Sequence, residues 1–419
     1  MALVKPFRGW RYNPAKISAL EDVIVPPYDV ISDQELIKLK HLSPYNFSKI
    51  ILSDGSQKYD KAASLFKSWR NEKVFIQDPK PCLYFYEQTF KLDHYELFCQ
   101  ATGLSVNLKR TGIFATVGVE DYEKKIIFPH EHTFSGPKTD RYDLMDAVGG
   151  NSEPVFLGYD SPRFSGDEFN KIVANIKPEC HYKDGAGVEH QLWAIDDISI
   201  HAEVESILMQ KPFFILDGHH RYETALKYSK DKQSLASHEF LLAQICSFRQ
   251  PGTVILPTHR LVRGMKNFNI AEIMDVWKDQ FDWTWVESLS ELEVLMKGSP
   301  NACFGVLASG STRFGLLKLH SASTMKDKLD LEVLHELALN ELQNSIIDEN
   351  PKGLEISYEK SVPVVQAQIR KDDYQLGFLI RPSTIKDVMS TAQSGRKMPH
   401  KSTFFFPKIP SGLIVHLFE

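Results

Sequence analysis

Apolar positions along this chain follow two rhythms, one helical and one alternating, and the switches between them predict a mixed α/β (α+β) protein. Val23-Ile24-Val25 reads as a short strand that stops at Pro26-Pro27, because proline lacks the N–H a central strand needs. A rigid loop carrying Tyr28-Asp29 follows, and Ser32-Asp33-Gln34-Glu35 then has the spacing of a capping box. Between Lys58 and Arg70, the residues Tyr59, Ala62, Ala63, Phe66 and Trp69 share one helical face. Residues 83–90 and 97–108 are rich in β-formers and predict an antiparallel pair about a turn near Asp93. Ser135-Gly136-Pro137 opens a helix reaching residue 147. Strands are predicted at 155–159 and 192–195, a helix at 201–209, and a buried strand at 212–216. That strand runs into Asp217-Gly218 and a helix to about residue 229, with further strands at 241–247 and 254–256.

After Met265 the texture changes. A helix over 271–281 leads to strands at 283–286 and 304–308, and Gly310-Ser311 turns tightly into another at 313–319. A longer helix over 329–343 has Leu331, Leu334, Leu337, Ala338 and Leu342 on its core face. The tail over 398–418 is aromatic and apolar enough to be ordered. The chain therefore divides into residues 1–265 and a C-terminal α/β portion, 266–419. No Gly/Ser linker separates them, so the two are expected to pack tightly.

Composition removes several classes. With 42% hydrophobic and 25% charged residues, the chain can build a core and is not a disordered protein. Its 49 basic and 54 acidic residues give a net charge of -5, which disfavours nucleic-acid binding driven by a basic excess. No apolar run reaches the roughly 18 residues that span a bilayer. The opening residues carry no signal-peptide core, so no membrane partner and a cytoplasmic setting are expected. The five cysteines, Cys82, Cys99, Cys180, Cys246 and Cys303, are scattered and form no CxxC pair. Free thiols in a reducing compartment follow, rather than disulfides or a zinc ribbon.

Chemistry concentrates in a few segments. At Asp217-Gly218-His219-His220-Arg221 an apolar strand ends and a helix begins. Unpaired N–H groups at such a start can hold a phosphate or carboxylate. Gly218 allows close approach, Arg221 offers a fork, His219 and His220 titrate near neutrality, and Asp217 can position a hydroxyl or magnesium. The plainer alternative is a helix cap flanked by surface histidines. Pro129-His130-Glu131-His132-Thr133 is a second cluster, followed by Lys138, Asp140 and Arg141. Extended, His130 and His132 would share a side and form a two-histidine metal edge, but no third ligand is near. Lys138 and Arg141, three apart, would offer positive charge from one helical face, unless they are only a solvated charge run. His259-Arg260, after Leu256-Pro257-Thr258, repeats the pairing of histidine and arginine. Asp29 is a candidate general base or the start of an Asx turn. The stretch from Arg396 to Thr403, with Lys401 and Ser402, is basic and hydroxyl-rich and can bind an anion or seal a cleft. No P-loop, GxGxxG or GxSxG pattern occurs, so a Rossmann NAD site and a serine nucleophile elbow lack support, as does haem.

The segments PPYDV at 26–30, HEHT at 130–133, Lys138 with Asp140-Arg141, DGHHRYETAL at 217–226, LPTHR at 256–260 and MPHKSTFFFPK at 398–408 resemble a bacterial and archaeal family known as domain of unknown function 1015, over nearly the whole chain. DGHHR is also similar to a motif of the ParB/sulfiredoxin superfamily, whose members include nucleotide-binding partition proteins, sulfiredoxin and a free-serine kinase. This resemblance implies a ParB/sulfiredoxin-like core with added strands and helices. It also implies phosphate binding by Gly218, His219, His220 and Arg221, with Asp29 as a counterpart of the kinase's acidic base. Sulfiredoxin's cysteine is missing from the turn, and no DNA-binding segment is recognisable.

The expectation is a phosphoryl-transfer enzyme acting on serine or O-phosphoserine, as kinase or phosphatase, with Mg2+ and ATP or ADP as cofactors. His219, His220 or His130 would trade a proton, and Asp29 or Glu131 would be the base. Asp217, Gly218, Arg221, Lys138, Asp140, Arg141, Thr133, His259, Arg260, Lys401 and Ser402 would bind the phosphorylated small molecule or nucleotide. The rival is a non-enzymatic nucleotide- or phosphate-binding regulator, and a homo-oligomer is compatible with either.

Overall fold

The structure is a computed structural model that describes residues 2–92, 103–232, 234–345, 350 and 352–419. Its larger sheet has nine strands. Across it run Ile127–Phe128, Phe213–Asp217, Val155–Tyr159, Phe240–Ser247, Asn107–Gly118, Leu83–Lys91, Glu189–Ile195 and Cys180–Lys183, while Val4–Lys5 pairs with Asn107–Gly118. Phe213–Asp217 is parallel to Ile127–Phe128, Phe240–Ser247 is parallel to Val155–Tyr159, and the other pairs are antiparallel. The central strands are covered on both faces. Phe213 and Ile215 enter one core with Leu157 and Ile245; Phe214 and Leu216 enter the other with Phe156 and Leu242. A strand buried on both faces has no polar side to show, which is why 212–216 reads as an unbroken apolar run.

Helix Lys58–Asn71 buries the predicted stripe, with Ala62, Phe66 and Trp69 packed on Phe47 and Phe75. Helices Ser135–Val148 and His219–Asp231 lie against each other and bring the HEHT and DGHHR segments together. Ser32 caps helix Asp33–Leu42 by accepting from the Glu35 N–H at 3.3 Å.

The second sheet is antiparallel, in the order Phe281–Val286, Phe314–Leu319, Cys303–Ala308, Leu376–Leu379, His259–Arg263, Glu355–Glu359. Over one face runs a helix in three pieces: Asp330–Val333, a π-helical turn at Leu334–Leu339, and Asn340–Ser345. The tail then crosses back. Phe404–Phe406 pairs with Val254–Leu256, His416–Leu417 pairs with Gly150–Asn151, and Met398, Phe405, Ile414 and Val415 join the first core.

Three element expectations are corrected. Val25 makes one isolated bridge to Ser411 instead of a strand over 23–25, because the prolines end the extended run. The second member of the pair near Asp93 is Asn107–Gly118, not 97–108; residues 93–102 lie outside the described ones. Its polar Lys109-Arg110-Thr111 disguises the strand, yet Arg110 is buried and donates to Gln88 Oε1 at 3.1 Å. The helix from Ile270 stops at Trp277, and Phe281 already opens the next strand.

Candidate functional site

Strand Phe213–Asp217 ends at Gly218, whose φ of +88° suits glycine. A Cβ there would sit 2.9 Å from Arg221 Nε and would push that guanidinium out of its place. Gly218 is the N-cap of helix His219–Asp231 and no side chain caps that end, leaving its first N–H groups open to an anion.

Arg221 has a different task from the free fork expected. Its guanidinium folds back under the turn, where Nη2 donates to Asp217 Oδ2 at 2.9 Å and Nη1 donates to the Pro154 carbonyl. Lys408 Nζ donates to the other Asp217 oxygen at 2.6 Å. Burial alone would raise the Asp217 carboxyl, but Lys408 and then Arg221 outweigh it and hold the group below its usual range. Both Asp217 oxygens are thus engaged within the protein.

His219 and His130 meet at right angles, ring centres 4.6 Å apart. His219 Nε2 accepts from the His130 backbone N–H at 3.2 Å, which puts its ring proton on Nδ1, 3.7 Å from Glu131 Oε2. His130 Nε2 lies 2.9 Å from Thr403 Oγ1. Burial pushes His130 down to about 3 and His219 well below its ordinary value, so both imidazoles are neutral at pH 7. Glu131 goes the other way. Burial lifts its carboxyl to about 7, against the pull of Lys408 and Lys401 and with Asp217 adding to the rise. It also accepts from Thr403 Oγ1 at 3.3 Å. Of the two carboxylates put forward as base, Glu131 is therefore poised to exchange a proton near neutrality.

His220 Nε2 accepts from the Phe134 N–H at 2.9 Å and its ring stacks on Phe134, which is 53% exposed. Burial lowers His220, while Glu223 and Asp29 act in the opposite sense. Asp29 is exposed on the short 3₁₀ turn Tyr28–Val30 that follows the two prolines, and its charge is also felt by Arg221 and Lys360.

Other predicted residues form braces. Thr133 Oγ1 and Lys138 Nζ both donate to Glu223 Oε2, at 2.6 and 3.0 Å. Asp140 takes Lys58 Nζ at 2.6 Å and the Tyr59 hydroxyl at 2.9 Å. Arg141 is buried: Nε reaches Asp140 at 3.0 Å, Nη1 reaches Glu153 at 2.9 Å, and Nη2 reaches the Ile51 carbonyl at 2.9 Å. The shared basic face expected of Lys138 and Arg141 is corrected accordingly, since every nitrogen of Arg141 is taken. The two-histidine edge fails too, because His130 is buried while His132 is exposed. Among the described residues no group of three His, Cys, Asp or Glu is placed to hold a metal ion. His259 and Arg260 belong to the second sheet; His259 Nδ1 accepts from the Ile380 N–H at 3.2 Å. Ser402 closes a turn onto the Pro399 carbonyl, and Lys401, at a φ of +57°, stands exposed beside it.

Five participants were not singled out from the sequence. Lys408 lies in the MPHKSTFFFPK segment, and Glu223 lies one helical turn beyond His219, so each had a local signal. Lys397 lies in the basic stretch from Arg396 to Thr403, whereas Glu153 and Lys360 had no local signal. Among the described residues Lys360, Lys397 and Lys401 make no ion pair. Lys360 Nζ instead sits 3.7 Å over the Phe404 ring, and burial lowers it to about 8. Lys397 and Lys401 both act on Glu131 or its histidine neighbours. A protein of net charge -5 thus gathers unpaired cations around one open helix start.

The fold and this cluster define a mixed α/β protein with lysines gathered about Glu131 and its histidines at a strand–helix turn. The chain belongs to the family described as protein of unknown function DUF1015, whose model matches residues 4–337 and so leaves out the tail with its MPHKSTFFFPK segment. No curated protein has a matching sequence. Among solved structures, a conserved hypothetical protein from Pyrococcus furiosus is 15% identical, with a TM-score of 0.36 over 72% of this chain and 93% of its own. A free serine kinase in complex with AMP is 14% identical, with a TM-score of 0.37 over 72% and 92%. SbnI with a C-terminal truncation, from Staphylococcus aureus, is 10% identical, with a TM-score of 0.36 over 71% and 85%. No helix among the described residues is long and apolar enough to cross a membrane.

Proposed function

We propose that this protein is a small-molecule phosphoryl-transfer enzyme, with serine as the acceptor hydroxyl and a nucleoside triphosphate or diphosphate as the donor. One observation carries the reading: a carboxyl lifted to about 7, Glu131, lies beside an open helix N-terminus ringed by unpaired lysines. A loose phosphoryl transition state asks for cations and N–H donors around the equatorial oxygens more than for a covalent partner. In this reading the N–H groups at the start of helix His219–Asp231, with Lys401, hold the transferred group. Glu131 takes the hydroxyl proton as the serine oxygen bonds to phosphorus and the bond from phosphorus to the departing diphosphate or monophosphate oxygen breaks. His219 Nδ1–H orients Glu131, and Arg221 with Lys408 holds Asp217 and the turn in place.

Magnesium carried by a nucleotide would meet Asp29 rather than the fully engaged Asp217 or the proton-accepting Glu131, and it would neutralise phosphate charge. Serine as the substrate comes from the motif resemblance at 217–221. The portion 1–265 supplies the turn and its bases, and 266–419 supplies Lys360 and the tail. The rival reading, a regulator that only binds nucleotide, draws on Phe134, whose exposed ring beside His220 could stack on a base. Transfer of labelled phosphate from nucleotide to serine separates the two. The wild type is expected to label serine, and Glu131→Gln to turn over at least about 100-fold more slowly at pH 7. Nucleotide binding without transfer in the wild type leaves the regulator. Equal turnover in the Gln variant removes Glu131 as base.

A further inference from the structure

A cavity of about 360 Å³ lies between the turn at Gly310 and helix Val362–Arg370, on the sheet face opposite the three-piece helix. Buried Leu307 and Ile369 form its floor, and Phe314 packs on the same core. Ser311 holds the rim: its N–H donates to the Ala308 carbonyl at 3.1 Å, and its Oγ donates to the Arg313 carbonyl at 3.1 Å. The Arg313 guanidinium lies 4.6 Å over the Trp285 ring. Gln366 and Arg370 line the other wall, four residues apart and so on one helical face. Neither side chain has a hydrogen bond or an ion pair among the described residues, and Thr312 on the facing loop has none either. Among the described residues no acid lines the cavity, and Asp372, just past the helix, accepts from Ser309 Oγ at 2.5 Å. Small-molecule sites take this form, an apolar floor with a few convergent polar groups in roughly 300–1,000 Å³. The register sets the cavity apart from the strand–helix turn. Lys360, whose charge is felt at that turn, follows Glu359, and Glu359 pairs with His259. From His259 the sheet runs to Val262 opposite Leu376, and Leu376 lies opposite Ala308 at the cavity. Helix Val362–Arg370 starts just after Lys360 and carries Arg370 about 12 Å away along its axis.

We propose that Arg370 and Gln366 hold the carboxylate of a small organic acid whose apolar body lies on Leu307, Phe314 and Ile369. Arg370 is free to meet both carboxylate oxygens with its fork, and Gln366 Nε2 and Thr312 Oγ1 add neutral donors. With Arg313 stacked on Trp285, one free cation matches one negative charge, and a phosphate dianion would leave charge unmatched. The apolar floor gains only if it is covered, so an acid with a hydrocarbon or aromatic body binds better than a bare carboxylate. The site goes beyond the phosphoryl-transfer reading, since neither Glu131, residues 218–221 nor the lysines about them take part.

Calorimetric titration of the full chain with phenylacetate, with its uncharged counterpart phenylacetamide and with acetate tests the site. Phenylacetate is expected to bind once per chain, at least tenfold more tightly than either of the others, and to slow amide exchange over residues 309–314 and 366–370. Arg370→Gln is expected to weaken it at least tenfold. Gln366→Glu, which gives Arg370 a fixed partner one turn away, is expected to do the same, and neither side chain is buried. Lys401→Met is expected to leave the affinity unchanged. Absence of phenylacetate binding in the wild type, or unchanged affinity in Arg370→Gln, overturns the site. Equal affinity for phenylacetamide overturns the carboxylate assignment, and equal affinity for acetate overturns the role of the floor. Loss of binding in Lys401→Met places the acid at the strand–helix turn and overturns the site as well. Failure of serine labelling leaves this result untouched, so the two proposals fall separately.

Discussion

A carboxyl that keeps its proton to about pH 7 when folded, against about 4.5 when unfolded, makes the stability of the chain depend on pH. Glu131 is that group. Between those two values the native protein binds more protons than the unfolded chain, so stability falls as pH rises through the window and levels off above it. A shift of this size corresponds to a penalty on the order of 3 kcal/mol at pH 8 relative to pH 4. Glu131→Gln cannot ionise and escapes it. Urea unfolding of both proteins is therefore expected to show the variant gaining on the wild type from pH 4.5 to 7 and no further above 7.5. A stability difference that stays flat across that range would mean that Glu131 ionises freely in the fold. The same desolvation leaves His130 and His219 neutral, so they can orient or accept but do not carry a stored proton.

The tail acts as an element through Lys408, whose ammonium reaches Asp217 across the end of the strand–helix turn with both side chains mostly enclosed. Asp217 is held below its usual range with Lys408 as the strongest charge against burial, so the pair stabilises the fold above the unfolded carboxyl value near 3.8. That contribution disappears as pH falls through the lower folded value. Lys408→Met is expected to cost about 2–4 kcal/mol in urea unfolding at pH 7, and much less at pH 3, with Lys408→Arg restoring most of it. A penalty of the same size at both pH values would mean that lost packing, not charge, is responsible. This contact also marks the limit of what was legible in the sequence. Strand Phe213–Asp217, the glycine turn and helix His219–Asp231 were all readable, because apolar period, turn residue and helix start are local signals. Strand Asn107–Gly118 was misplaced because a buried Arg110 breaks the apolar pattern, and the approach of Lys408 and Thr403 to Asp217 and Glu131 has no local trace. Arg141 likewise had the spacing of a surface cation and became a buried brace, a choice made by Glu153 beyond the end of its helix and by Ile51 far along the chain.

Charge is where the whole molecule and the cleft disagree. The chain carries -5 overall, yet Lys360, Lys397 and Lys401, which make no ion pair among the described residues, gather with Lys408 near a helix end that is itself partly positive. Like charges held together oppose folding, and an anion that bridges them relieves the repulsion only in the native state. A multivalent anion should therefore stabilise the fold by linkage, by about 2.7 kcal/mol at 100 times its Kd. Pyrophosphate is expected to raise the unfolding midpoint by several °C, while sodium chloride at equal ionic strength, which only screens, raises it far less. The double variant Lys360→Met, Lys401→Met should start from a higher midpoint without ligand and lose most of the pyrophosphate response. If chloride matched pyrophosphate, or if the double variant responded like the wild type, the lysines would be ordinary solvated charges. The negative remainder of the surface would then slow the approach of a phosphate instead of leaving one basic mouth to receive it.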